Sequence, residues 1–110
     1  MELELIEISE EQIEVLCKVF KGISDPTRLK ILKLLWNSPK YAYEIESQFD
    51  FERSNVAKHL SIMLKLGILK VEKEGNKSRY SVRMTCIPRV IGCLIPYIED
   101  SNYPYNIEEK

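Results

Sequence analysis

A chain of 110 residues has room for one folded domain with a single core and is too short to hold a separate substrate-binding domain beside it. Its 45% hydrophobic and 30% charged content is that of a globular protein; no apolar run approaches the roughly 20 residues of a membrane span, and the acidic start is unlike a secretory signal, so a cytoplasmic protein is expected. The net charge is −1, yet Arg53 to Arg83 holds eight basic residues against Glu72 and Glu74, a local balance of +6 that leaves −7 for the remainder. Such a concentration points to a polyanionic partner, and duplex DNA is the obvious one.

In chain order, Ser9-Glu10-Glu11-Gln12 fits a capping box, and Ile13, Leu16, Cys17 and Phe20 recur at helical spacing until Gly22, which marks the end of a first helix. Ser24-Asp25-Pro26 opens a second helix with Leu29, Leu32, Leu35 and Trp36 on one face, closed by Asn37-Ser38-Pro39. A short third helix covers about residues 42–48 and buries Ala42, Ile45 and Phe49. The fourth begins near Arg53. Its inner face is Val56, Leu60 and Leu64, with Ala57 and Met63 alongside, while Arg53, Ser54, Asn55, Lys58, His59 and Ser61 face outward.

After Gly67 the apolar period falls from 3.6 to 2, which predicts strands over residues 69–73 and 78–82. The connecting Glu74-Gly75-Asn76-Lys77 has a Gly and an Asn suited to the positive φ angles of a hairpin turn. A fifth helix follows from about Thr85, with Pro88 in its first turn and Val90, Ile91, Leu94 and Ile95 as apolar surface; Pro96 is expected to end or kink it. Residues 1–100 thus form the domain and residues 101–110 a polar tail.

This order is mainly α with a small β-hairpin, α1-α2-α3-α4-β-β-α5, a winged helix-turn-helix in which the fourth helix enters the major groove and the hairpin is the wing. The residue types suit those tasks. Asn55 can bond adenine in bidentate fashion and Arg53 guanine; Ser54 and Ser61 can serve any base, and Lys58, Lys73, Lys77 and Arg79 suit phosphates. His59, the sole histidine, reads either as a base or phosphate contact or as a packing residue. Each of these side chains alone could equally belong to a solvated helix face. As a group they favour DNA, because residues 53–71 contain no acid. No Gly-rich phosphate loop, Ser-His-acid set or paired-carboxylate cleft is visible, so an enzyme is not expected. A winged-helix module that docks protein instead of DNA remains the alternative from another class.

Four blocks carry a family resemblance: Gly22-Ile23-Ser24-Asp25-Pro26-Thr27-Arg28-Leu29-Lys30-Ile31-Leu32, then Ser54-Asn55-Val56-Ala57-Lys58-His59-Leu60, then Leu66-Gly67-Ile68-Leu69, then Arg79-Tyr80-Ser81-Val82. In this order and at these separations they resemble ArsR/SmtB-type repressors. The resemblance implies a homodimer built on the first and last helices, a palindromic double-stranded operator, and repression relieved by an inducer.

The family's metal sites are not reproduced. Where many members have a Cys-x-Cys-Asp pattern in the third helix, this chain has Tyr41-Ala42-Tyr43-Glu44, and the last-helix zinc positions fall on Met84, Cys86, Tyr97 and Asp100. Cys17, Cys86 and Cys93 all lie on the two helices expected to form the dimer, at no zinc-finger spacing, and free thiols are expected. Seven helical residues rise about 10 Å, whereas two sulfurs on one metal stand less than about 5 Å apart. Cys86 and Cys93 therefore cannot share an ion within one intact helix. The expectation is a soft thiophilic ion such as arsenite or cadmium at Cys86 and Cys93, with Cys17, using a partner chain or an unwound helix, or else thiol oxidation; the competing reading is that these cysteines are small buried hydrophobes or that no inducer is sensed.

Overall fold

The computed structural model describes residues 6–49 and 53–105, the side chains of Arg53 and Ser54 excepted, so the tail beyond residue 105 and the roles expected of those two side chains lie outside the described residues. The elements are α1 (Glu10–Ile23), α2 (Pro26–Leu35), β1 (Lys40–Tyr41), α3 (Ala42–Glu46), α4 (Arg53–Lys65), β2 (Leu69–Glu74), β3 (Lys77–Val82) and α5 (Cys86–Ile98). Ser9 caps α1 by the capping box its sequence specifies: Gln12 N–H donates to Ser9 Oγ at 3.1 Å and Ser9 N–H to Gln12 Oε1 at 2.9 Å. Asp25 caps α2, accepting from Arg28 N–H at 3.1 Å, with Pro26 at the first helical position, where its missing N–H has no partner to lose.

Gly22 does not stop α1. The helix runs on to Ile23, and Gly22 is buried where α1 meets the segment after α4; a Cβ there would collide with Leu66 Cδ1 and stand 3.1 Å from Ile68 Cδ1. Its small size, not a turn, explains the residue. On α2 the buried face is Ile31, Leu32 and Leu35, whereas Leu29 and Trp36 are 40% and 38% exposed, so the helix is turned from the orientation its leucines alone suggest.

The core joins Ile31, Leu32 and Leu35 of α2 to Ile45 of α3, Val56, Leu60 and Met63 of α4, Ile68 and Leu69 entering β2, and Ile87 of α5. Phe49 and Leu64 pack against it, while Ala57 is exposed and takes no part in the inner face of α4. β1 was not anticipated, since two residues are too few to show an alternating pattern. It pairs antiparallel with β3, Lys40 opposite Tyr80 and Tyr41 opposite Arg79, so the hairpin becomes a three-stranded sheet of order β1-β3-β2. In the β2–β3 turn only Gly75 has positive φ, +65°; Asn76 does not. That is the pattern of a type II′ turn, with Gly at the first loop position.

Ile68 fastens the wing to α4. Its N–H donates to Met63 O at 3.0 Å, and its carbonyl accepts from Arg83 N at 2.8 Å and Met84 N at 3.2 Å, so the end of α4 and both ends of the hairpin meet at one buried residue. α5 begins just beyond and continues through Pro96 to Ile98; the proline neither ends the helix nor exposes Cys93 by unwinding it. The N–H that Pro96 lacks would have bonded the Gly92 carbonyl, a single lost bond, and the ladder resumes beyond it with Glu99 N–H donating to Ile95 O at 3.0 Å.

The orientation of α2 gives a stability test. Ile31→Ala should lower unfolding free energy by about 2–5 kcal/mol, while Leu29→Ala should change it by less than about 1 kcal/mol, as read from urea denaturation of each variant.

Candidate nucleic-acid interface

α4 is amphipathic because Val56, Leu60 and Met63 fall at helical spacing and seal against the core. The same periodicity turns Asn55, Lys58 and Ser61 outward, and all three are exposed, with Lys65 continuing the row one turn on. No acidic residue interrupts this face in the first turn or anywhere along the helix. A carboxylate there would repel phosphate and leave the cationic side chains paired to the protein instead.

His59 is set apart from that row. It is half-buried, and its ring leans toward α2, where Nδ1 stands 3.3 Å from Arg28 Nη1 and 4.0 Å from Asp25 Oδ2. The Asp25 carboxyl is held below the usual carboxylate range, chiefly because its oxygen accepts the Arg28 backbone N–H. The sequence marked Asp25 as a cap and His59 as a recognition-helix residue, but their meeting depends on how α2 crosses α4, which no local pattern records.

The wing carries its cations unequally. Lys73 is exposed on β2, as is Lys70. Arg79 is engaged: its Nε lies 3.1 Å from Glu74 Oε2 and its Nη2 3.8 Å from Glu72 Oε1, as follows from Glu72 standing directly opposite Arg79 and Glu74 two residues along on the same face. Tyr41 Oη donates to Glu74 Oε1 at 2.8 Å, and this bond to a carboxylate raises the Tyr41 phenol above its ordinary pKa. Lys77 holds its ammonium 5.4 Å from the centre of the Tyr41 ring and 6.0 Å from that of Tyr43, and these two rings stack at 5.7 Å and 5°. Tyr41 and Tyr43, at positions where resembling proteins carry thiols, thus brace the wing. Sequence reasoning placed them only as missing metal ligands; without β1 there was no way to see that they face Lys77.

The three cysteines are all exposed, so within one chain none is the small buried hydrophobe that one reading made of it. Cys86 opens α5 and Cys93 lies seven residues further along the same unbroken helix, with Cys17 on α1. Among the described residues no group of three or more His, Cys, Asp or Glu side chains could hold a metal ion. Around the cysteines lies apolar surface: Ile13, Leu16 and Phe20 on α1 and Val90, Leu94 and Ile95 on α5 are exposed large hydrophobics, and Ile87 is the one residue of α5 that is buried. The apolar stripes of the first and last helices therefore face away from their own core.

Residues 25–71, from the cap of α2 into β2, match the family described as bacterial regulatory protein, arsR family. The chain is also 32% identical over 80 residues to the transcriptional repressor SdpR of Bacillus subtilis, a match covering 73% of this chain and 89% of that protein. The chain belongs to the arsR family. It is a DNA-binding transcriptional regulator with a winged-helix fold. A further relative, a probable mercury resistance operon repressor of Streptomyces lividans, is 31% identical over 65 residues, 59% of this chain and 52% of that one. Among solved structures, HlyU from Vibrio cholerae superposes with a TM-score of 0.71 at 21% identity over 81% of this chain and 97% of its own, which shows a shared fold. No helix among the described residues is long and apolar enough to cross a membrane.

In this arsR-family chain, Glu74 holds the wing's arginine to the protein. Glu74→Ala should free Arg79 for phosphate, so duplex affinity at low salt should rise and the slope of log K against log salt should steepen by about 0.9 for each phosphate gained; titrations of labelled duplex at several salt concentrations would measure both.

Proposed function

We propose that the chain acts as a homodimeric repressor that places one α4 in each of two successive major grooves of a palindromic operator. The observation that carries this reading is the outer face of α4, with Asn55, Lys58 and Ser61 exposed over a buried apolar face and no acid along the helix. Arg53 and Ser54, at the helix start, complete the set expected to reach base edges. Lys73 supplies the wing's phosphate contact; Lys77 and Arg79 contribute after leaving Tyr41 and Glu74, which exposed contacts of this kind hold by only about 1 kcal/mol.

The dimer reading rests on the unpartnered apolar faces of α1 and α5. A second copy is the partner that both covers those faces and supplies the second reading helix, at a spacing of about 34 Å that one B-DNA turn requires. Cys17, Cys86 and Cys93 stand on those same helices, so a soft ion such as arsenite or cadmium, or a disulfide formed when two thiols lose two electrons and two protons to a mild oxidant, would draw on thiols of two copies and alter their mutual angle. The mercury-operon relative supports the class of ion. Function within the cytoplasm follows from a role on DNA.

One set of titrations tests both halves. Using a duplex that the protein selects from random-sequence DNA, affinity should fall by roughly 10³ to 10⁵ between 50 and 200 mM salt for six to ten phosphate contacts per dimer. Arsenite, cadmium or a mild oxidant should release the wild-type protein, and a variant with all three cysteines changed to serine should stay bound. A shallow salt dependence removes the DNA contacts proposed here; equal behaviour of wild type and the serine variant removes the cysteines from release.

A further inference from the structure

The Arg28 side chain links three helices. It belongs to the first turn of α2; its Nη2 lies 3.5 Å from the Lys21 carbonyl in the last turn of α1, and its Nη1 3.3 Å from His59 Nδ1 on α4. Its Nε is buried with no hydrogen-bond partner, so the guanidinium is held in place largely by the contacts at its tip. Losing a hydrogen bond at Nε is a cost that a merely decorative surface arginine would not incur.

The chemistry of that tip constrains the histidine. A guanidinium has donors and no acceptor, so Nη1 can bond Nδ1 only through the nitrogen's lone pair. In that bonding arrangement the imidazole proton stands on Nε2. The Asp25 carboxylate stands 4.0 Å from the same Nδ1 and receives the Arg28 backbone N–H. Nε2, the ring's other nitrogen, takes part in neither contact with α2, and the His59 side chain keeps 21% of its surface exposed. The contacts His59 makes among the described residues are through Nδ1 alone.

We propose that Arg28 is a positioning residue for DNA binding: it holds His59 as a neutral ring whose Nε2–H points outward as a donor, and that donor bonds a phosphate oxygen of the duplex backbone. This rests on the DNA-binding reading above. Phosphate is the acceptor, and not a base, because His59 lies off the exposed Asn55, Lys58 and Ser61 row, on the flank of α4 that leans to α2. A flank meets the wall of the groove, where the phosphates are, while the exposed row meets the floor. A neutral donor locked in one tautomer suits this place: it fixes the rotation of α4 in the groove without adding a mobile charge.

His59 is the only histidine, so its two ring nitrogens can be followed by NMR without overlap. The probe is the duplex that the wild-type protein selects from random-sequence DNA. In the free protein Nδ1 should be unprotonated and Nε2 protonated, and adding the duplex should shift Nε2–H without placing a proton on Nδ1. His59→Gln, whose amide N–H overlays Nε2, should keep affinity within about threefold, whereas His59→Asn, whose amide overlays Nδ1, should lose about tenfold across the two copies. Arg28→Ala should lose a similar factor in the wild-type background but less than about twofold beside His59→Ala, the coupling expected of a residue that acts through another. Thermal denaturation of each variant identifies any that fails to fold, and in that case the imidazole spectra and the Gln and Asn pair decide. A protonated Nδ1 in the complex, equal binding by the Gln and Asn variants, or equal losses from Arg28→Ala in both backgrounds overturns the proposal alone. A wild-type protein that selects no duplex overturns it together with the DNA-binding reading.

Discussion

Burial of one face of α4 is the constraint on which the rest of this molecule depends. Val56, Leu60 and Met63 seal the helix to α2, α3 and the base of the wing, and each fully buried aliphatic side chain stabilises that seal by about 1.5–3 kcal/mol. Because the helix has a period of 3.6 residues, sealing one face fixes which side chains stand on the other. Ile68 then carries the orientation onward: its N–H is bonded to α4 and its carbonyl to Arg83 and Met84, which ties the base of the wing to the helix it accompanies. Helix and wing are thus presented to DNA as one rigid unit.

Charge is distributed to match. Among the described residues Lys58 and Lys65 on the face of α4 pair with no acid, whereas the wing's Arg79 is offset by Glu72 and Glu74, and Lys77 rests on two tyrosine rings. The local excess of positive charge in the sequence therefore overstates the wing's contribution and understates that of the helix. Outside this segment α1 carries Glu10, Glu11 and Glu14 beside its exposed apolar residues. In the proposed dimer, grip on DNA and association between copies fall to different elements, so a change at one would alter the other through relative geometry.

Much of this was legible in the residues because it rests on local rules. The capping box at Ser9, Asp25-Pro26 at the start of α2, the inner face of α4 and the strands after Gly67 each follow from short-range hydrogen bonding or side-chain spacing; the structure realises both caps and both strands, and of the inner face all but Ala57. What escaped notice required knowing how distant segments pack. Gly22 looks like a stop until Leu66 is found against it; Leu29 and Ile31 cannot be ranked on α2 without its neighbours; β1 exists only because β3 is there to pair with it. Pro96 looks like a terminator, yet it removes only one hydrogen bond, to the Gly92 carbonyl, and the helix continues through it. In the site, the nature of the recognition face was readable from α4 alone, while the Arg28–His59 link and the Tyr41–Glu74–Arg79 brace arise from contacts spanning 31 and 33 residues or joining strands.

The central claim is that a twofold pair of α4 helices reads two neighbouring major grooves while the wings grip the flanking backbone. Methylation interference at guanine N7 on a selected duplex, with hydroxyl-radical footprinting of the same complex, tests it most directly. Interference should fall in two clusters about 10 base pairs apart on one side of the helix, with backbone protection extending beyond each. A single cluster, or backbone protection without any major-groove interference, would contradict the account.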